Sequence, residues 1–440
     1  MGRLFGTDGV RGVAGSDLTA ELAFALGRAA ALVLRDRDGP TFVVGRDTRA
    51  SGEWLEDALV RGIRAGGGGV VLAGVQPTPA VSFLTADLGA AAGAVISASH
   101  NPPEYNGIKF FGPRGEKLPD ALEERIEALV ETPPTGETPP GPIRALGEEG
   151  ERYLDHLVAA AQARLDGMRV VVDCANGAAH RAAPEVLRRL GARVEAIFDH
   201  PDGANINVGC GALHPEVVAA AVVERGADAG VSLDGDADRA LFADAQGRVI
   251  DGDQVLAACA LDLQARGQLP GDVVVATVMA NLGFRRAMAE AGIRVVETPV
   301  GDRHVQEAMR ATGAALGGEQ SGHLIFARHA ATGDGLLTAV RFLSLAAVRR
   351  VPLATLAGVF RRFPQLLENV PVRDPAALER CRPVWEAVRA AQEALGSEGR
   401  VLVRASGTEP LVRVMVEAGS EEEAARHARA IAEVVRRELG

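Results

Sequence analysis

Several things are scarce in this sequence, and each scarcity excludes a class of function. There is no long basic run, and the formal net charge is −11. Binding to a phosphate backbone needs clustered Lys and Arg, so nucleic acid is not an expected partner, although a local basic pocket for a small anion stays open. The longest apolar stretches are broken by Arg, Asp or Gly well short of a membrane span. The opening MGRLFGTDGVRG has no apolar core of signal-peptide length, and Gly6 stands where a myristoylation pattern wants Ser or Thr. A cytoplasmic protein without a membrane partner is expected. Cys174, Cys210, Cys259 and Cys381 are scattered and form no CxxC pair, the pattern of buried thiols in a reducing compartment. No GxxxxGK[ST] motif occurs, which excludes a P-loop, and no GxGxxG opens a helix, which weakens a dinucleotide reading.

Lysine is nearly missing as well. Of 47 basic residues only Lys109 and Lys117 are lysine. A chain that uses Arg almost everywhere has reason to keep Lys where a compact, titratable ammonium is needed.

What is present is a repeated order of strand, Gly-rich turn and helix. Thr41–Val44 is a short apolar run ending in GRDTR, after which Ser51 reads as the N-cap of an amphipathic helix through Ala65. Gly66–Gly69 follows that helix and precedes the strand Val70–Ala73, so it reads as a helix end and turn, not a phosphate loop. The same order recurs at Arg169–Asp173, followed by CANG and a helix to Leu190, and at Val273–Thr277, followed by MANLG and a helix. Strands alternating with helices predict α/β units with mixed or parallel sheets. The end of the chain differs, with strands Arg400–Arg404 and Leu411–Glu417 around a tight turn and then a helix.

At 440 residues the chain exceeds the roughly 250–300 residues at which single domains stop growing. Breaks are expected at the Pro/Gly-rich Glu131–Pro142, near Val249–Gly252 and near Phe363–Val370. The expected architecture is three related α/β domains, residues 1–148, 149–250 and 251–365, plus a smaller C-terminal α+β domain, 366–440, around a central cleft.

Four loops carry chemistry, one in each expected domain. In ISASHNPPEYNGIKFF, Ile96–Phe111, a strand ends near Ser97 and the backbone opens at Ser99. A serine nucleophile needs charge stabilisation on its electrophile, which backbone N–H groups and Lys109 can supply; taken alone the segment also reads as a polar turn. LDGDADR, Leu233–Arg239, alternates Asp234, Asp236 and Asp238, which an extended chain would place on one face. Hard oxygen ligands suit Mg²⁺. An EF-hand is excluded because Arg239 stands where the loop needs Gly and no Glu closes it. GGEQSGH, Gly317–His323, offers a carboxylate, an amide, a hydroxyl and an imidazole suited to sugar hydroxyls. RASGTEPLVR, Arg404–Arg413, places Ser406, the Gly407 backbone and Thr408 near two arginines, an anion cradle or an exposed hairpin turn.

Along essentially the whole chain these residues resemble the α-D-phosphohexomutase superfamily, through FGTDGVRG, GRDTR, SASHNP, DGDADR, GEQSGH and SGTEP. ISASHNP, NINVGCG at Asn205–Gly211, GDRHV at Gly301–Val305 and Gln320 are similar to its bacterial branch for glucosamine phosphate. The resemblance implies interconversion of glucosamine 6-phosphate and glucosamine 1-phosphate through a phosphoserine and a glucosamine 1,6-bisphosphate intermediate, on the way to UDP-N-acetylglucosamine and the cell wall. It implies one Mg²⁺ per subunit, held by Asp234, Asp236, Asp238 and a phosphoserine oxygen of Ser99, a bisphosphosugar activator, and a homodimer. Ser99 would carry the phosphate, with Arg11, His100, Lys109 and Arg239 at the reacting centre. Glu319, Ser321 and His323 would bind the sugar, and Arg404, Ser406, Gly407, Thr408 and Arg413 the non-reacting phosphate. A C-terminal domain that closes over the substrate would protect the phosphoserine from water. Asp302 stands where related mutases carry a His, which leaves the general acid/base open, with His304 a possible substitute. The rival readings are a mutase for glucose or mannose phosphates, a phosphatase, and a non-catalytic sugar-phosphate sensor.

Overall fold

In the computed structural model the described residues are 4–6, 8–34, 40–132, 138–406 and 409–440. They fall into two compact units, Met1–Met279 with Ile293–Gly358, and Ala280–Gly292 with Val359–Gly440.

The first unit contains three sheets. The first is built from β1 (Val10–Val13), β2 (Thr41–Arg46), β3 (Gly69–Val75), β4 (Ala92–Ile96), β5 (Tyr105–Phe111) and β6 (Ile143–Ala145), in the order β1-β5-β4-β2-β3-β6. β2 runs parallel to β3 and β4, whereas β5 is antiparallel to β4 and β1. Both faces are covered. Phe42 and Val44 pack with Leu26, Leu59 and Ile126 from three helices, while Val43, between them in sequence, packs with Val81 and Leu84 from a helix on the other side. Side chains alternate across a strand, so a sheet buried on both faces needs the unbroken apolar run seen here. Helices Ala20–Val33 and Gly52–Ala65 touch through glycine: a Cβ on Gly27 or on Gly62 would fall on a backbone carbonyl of the partner helix. Ser51 does not cap the second of these helices. Its backbone is already helical, and its hydroxyl accepts from Asn106 Nδ2 at 2.9 Å instead.

The second sheet contains β7 (Arg169–Asp173), β8 (Arg193–Ile197), β9 (Ala229–Leu233), β10 (Ala240–Asp244) and β11 (Val249–Ile250), ordered β11-β10-β9-β7-β8. The third contains β12 (Val273–Thr277), β13 (Arg294–Thr298), β14 (Leu316–Gly318) and β15 (Leu324–Phe326), ordered β13-β12-β14-β15. One pattern recurs in all three: a strand parallel to its inner neighbour turns back as an antiparallel hairpin, β4 to β5, β9 to β10 and β14 to β15. The three hairpin turns hold Ser99, Asp234–Arg239 and Glu319–His323.

The second unit is an antiparallel sheet of β16 (Gln365–Pro371), β17 (Arg400–Ala405) and β18 (Leu411–Glu417), ordered β16-β18-β17. Helices Arg382–Leu395 and Glu421–Leu439 cover it through Val388, Ile431 and Val435. Helix Leu282–Glu290, from the middle of the chain, belongs to this unit. Leu282 N donates to Glu417 Oε1 at 3.2 Å, and Asn281 Nδ2 to Phe363 O at 3.0 Å. Among the described residues no helix is long and apolar enough to cross a membrane.

Candidate active site

Ser99 lies in the β4–β5 turn with φ of +52°, in the left-handed region that a serine rarely occupies. Its surroundings over-determine that conformation. Its amide donates to Ser97 Oγ at 2.9 Å, and its carbonyl accepts from Arg49 Nη2 at 3.0 Å and Asn207 Nδ2 at 2.9 Å. Arg49 is fully buried. It pairs with Asp47 at 2.9 Å and also donates to the carbonyls of Asn101, Pro102 and Tyr105, so one guanidinium gathers the whole turn. The result aims Ser99 Oγ at Asp234 Oδ2, 2.6 Å away, with His100 Nδ1 at 3.3 Å on another side. Gly235 permits this approach, because a Cβ there would stand 2.6 Å from Ser99 O.

Asp234, Asp236 and Asp238 do converge, but not by strand alternation. β9 ends at Leu233, and the carboxylates lie in a turn in which Ala237 has φ of +58°. A turn brings side chains to one point, where an extended chain would only align them. All three are buried, and their ligand oxygens lie within 4.8 Å of one another. Asp236 Oδ1 and Asp238 Oδ1 have no hydrogen-bond partner. Burial, then the charges of Asp238 and Asp236, push Asp234 well above the usual carboxylate range. Buried, unsatisfied, mutually repelling hard oxygens are what a divalent cation would satisfy, so the donor set fits a metal ion.

Cations stand around the cluster. Lys109 Nζ is 3.1 Å from Asp236 Oδ2 and 2.8 Å from Asp8 Oδ2. Burial works to lower its pKa, but Asp236 and Asp8 outweigh burial and hold it firmly protonated. Arg239 reaches toward Asp238 at 3.8 Å, and its amide donates to Asp234 Oδ1 at 3.1 Å. Arg11 pairs with Asp8, and its Nε has no partner. Burial, then Arg239 and Arg11, lower His100 to about 4, so the ring is neutral near pH 7.

In the β14–β15 turn, Glu319 Oε1 accepts from Gly301 N at 3.1 Å, and Ser321 Oγ is buried without a partner. His323 Nδ1 faces Asp238 Oδ2 at 3.6 Å, and its Nε2 is unpartnered. Burial opposes protonation of His323, but Asp238 raises its pKa. Asp302 is engaged by Lys117, and His304 is half-buried on its helix, 4.0 Å from Glu307 Oε2. In the second unit, Arg404 and Arg413 stand directly opposite each other on β17 and β18. Burial, then Arg413, lower the pKa of Arg404, while Arg413 Nη2 donates to Glu409 Oε2 at 2.9 Å. Ser406 Oγ accepts from Glu409 N at 3.3 Å, whereas Gly407 and Thr408 lie outside the described residues.

Comparison with known proteins agrees with this geometry. The sequence matches the four parts of one family: phosphoglucomutase/phosphomannomutase alpha/beta/alpha domain I over residues 2–136, domain II over 151–247, domain III over 251–363 and the C-terminal domain over 367–434. The chain belongs to the phosphoglucomutase/phosphomannomutase family. It is 54% identical to a phosphoglucosamine mutase of Symbiobacterium thermophilum over 447 aligned residues, covering 100% of both chains. It is 53% identical to a phosphoglucosamine mutase of Streptomyces griseus, again over 100% of both. The crystal structure of a phosphoglucomutase/phosphomannomutase family protein from Burkholderia thailandensis superposes with a TM-score of 0.84 at 28% identity, covering 100% of this chain and 98% of the other.

The structure brings together in the first unit Ser99, His100, Lys109, the three aspartates and Arg239, with Arg11 joined to Lys109 through Asp8 and His323 facing Asp238. Four contributors went unassigned from sequence: Asp8, the Asp47–Arg49 pair, Thr78, whose Oγ1 donates to Asp236 Oδ2 at 2.7 Å, and Asn207. Asp8, Asp47, Arg49 and Asn207 lie inside FGTDGVRG, GRDTR and NINVGCG, so recurring motifs were their only signal.

Proposed function

We propose that this protein interconverts glucosamine 6-phosphate and glucosamine 1-phosphate through a phosphoserine at Ser99. The observation that carries the proposal is Ser99 Oγ at 2.6 Å from a buried aspartate cluster in which Asp236 Oδ1 and Asp238 Oδ1 are unsatisfied. Full-length relatives named phosphoglucosamine mutase favour the amino sugar.

A phosphate on Ser99 would carry about −1.5 to −2 charges. Beside three carboxylates it would be expelled without cations. Asp234, Asp236 and Asp238 would hold Mg²⁺, which when bound offsets that charge and polarises the phosphoryl group. Lys109 shares the charge from the side of Asp236, and Arg239 and Arg11 add fixed positive charge. In transfer, a sugar hydroxyl forms a new O–P bond while the Ser99 Oγ–P bond breaks, and the hydroxyl proton leaves to a base at the site. The product is a hexose 1,6-bisphosphate. Return of its other phosphate to Ser99 completes the isomerisation with no net hydrolysis. Glu319 and Ser321 would hold the sugar hydroxyls. Arg404, Ser406, Gly407, Thr408 and Arg413 would hold the phosphate not in transfer. Ser99 is only 2% exposed, which restricts water at the phosphoserine.

The deciding experiment compares kcat/KM for glucosamine 6-phosphate, glucose 6-phosphate and mannose 6-phosphate with Mg²⁺ and a bisphosphosugar, while free phosphate is followed. Preference for the amino sugar with no phosphate release is expected. Preference for glucose or mannose would overturn the substrate, and steady phosphate release would make the enzyme a phosphatase.

A further inference from the structure

Lys117, one of the two lysines, contacts none of the aspartate cluster. It follows β5 and pairs through the isolated bridge Phe111–Lys117. Its Nζ is 2.5 Å from Asp8 Oδ1 and also contacts Asp302, and its side chain is only 11% exposed. Asp8 spends its other oxygen on Lys109, which continues to Asp236. Asp302 begins the helix Asp302–Thr312, and the preceding residue, Gly301, donates its amide to Glu319 Oε1 at 3.1 Å. Arg303 adds a second tie from the same helix start, to Asp120 and, at 2.7 Å, to Glu123. Charge-assisted bonds therefore run from Asp236 through Lys109, Asp8 and Lys117 to Asp302, and the backbone of the adjoining Gly301 carries the series to Glu319.

We infer that Lys117 is a positioning residue for phosphoryl transfer, coupling the segment that places Lys109 to the loop that places Glu319. The inference rests on the reading of the site given above. A compact ammonium with three donors can serve carboxylates arriving from two directions, whereas a planar guanidinium binds best edge-on to one. Burial acts to lower the pKa of Lys117, but Asp8 and Asp302 outweigh it, so the bridge is ionic. Without Lys117, Asp8 keeps only Lys109 and Arg11 and pulls Lys109 more strongly away from Asp236, while Asp302 loses its tie to the segment that follows β5.

Lys117→Met is the direct test, with Lys117→Arg and Asp302→Asn beside it. Kinetics are read on whichever hexose phosphate the parent enzyme isomerises, so a wrong sugar assignment leaves the test intact. Hydrogen exchange at the Gly301–Arg303 amides is read without substrate. The expected result is a kcat lower by about 10- to 100-fold and a raised KM. Faster exchange at Gly301 should accompany it, with partial recovery in Lys117→Arg. Lys117→Met and Asp302→Asn should be non-additive in combination. If Lys117→Met does not fold, Asp302→Asn alone must show the same kinetic and exchange changes. Unchanged exchange at Gly301, or a lowered Tm with kcat and KM as in the parent, would overturn the inference and leave Lys117 a structural brace.

Discussion

Arg49 shows how much one side chain can organise. Its guanidinium is fully buried, neutralises Asp47 and donates to four carbonyls of the Ser99 turn. Replacing it with Met would leave Asp47 buried and unpaired. Breaking a buried pair in this way costs about 3–5 kcal/mol. Arg49→Met is therefore expected to lower stability by that order in denaturant melts, and to reduce kcat in whatever fraction stays folded. Wild-type stability would show that the clamp is redundant. Ser99→Ala removes the proposed nucleophile while leaving the turn anchored through its backbone, so the folded variant should lose turnover by at least several orders of magnitude. Measurable isomerisation by that variant would remove the phosphoserine from the mechanism.

At the scale of elements, the recurring hairpin decides where chemistry can occur. In each α/β sheet the strand that ends a parallel pair turns back as an antiparallel hairpin, and each such turn carries one candidate loop. Gly235→Ala tests the closeness of two such turns: the added Cβ would press on Ser99 O, so kcat should fall while helix content by circular dichroism is retained. The helix Gly335–Arg349 gives a pH test. Its N-cap, Asp334, accepts from Leu337 N at 2.9 Å and from Tyr153 Oη, and burial raises its pKa to about 7. The folded state then holds a proton that the unfolded state releases near the ordinary value of about 3.9. Stability from this group is present below pH 4 and is lost as pH rises to 7. Asp334→Asn should flatten the decline of unfolding free energy between those values; an unchanged slope would assign it to other groups.

For the whole molecule, the buried aspartate cluster is a concentration of negative charge that a bound cation would relieve. Ligands that bind only the folded state raise stability, by about 2.7 kcal/mol at a hundred times Kd. Tm should therefore rise with Mg²⁺ in the parent and respond far less in Asp236→Asn or Asp238→Asn. An equal rise in all three would place the ion elsewhere. The second unit takes helix Leu282–Glu290 from mid-chain, with Phe284 against Phe360 and Asn281 against Phe363. A chain cut after Gly358 would strand that helix and uncover its buried Phe284. It is expected to expose hydrophobic surface and bind a fluorescent apolar dye, whereas a clean monomer without dye binding would show that the helix can be covered otherwise.

Much of this protein was legible before any coordinates. The alternation of apolar strands with glycine turns and amphipathic helices reports α/β units because it is local: side-chain period and turn chemistry are written within a few residues. The candidate loops with Ser99 and with the three aspartates, which the structure brings together, could be picked out for the same reason, each lying in one short segment. Tertiary structure alone decided the rest. Asp8, Thr78 and Lys117 act on partners more than a hundred residues away, and Arg49 on a turn 50 or more residues along, and nothing in their neighbourhoods marks those partners. The aspartates met through a left-handed turn at Ala237, not along a strand, and Gly235 brings that turn close against the Ser99 turn, an approach that exists only once the two sheets are packed. Local sequence determines which chemical groups each loop offers; only packing determines how near they come, and reaction depends on that distance.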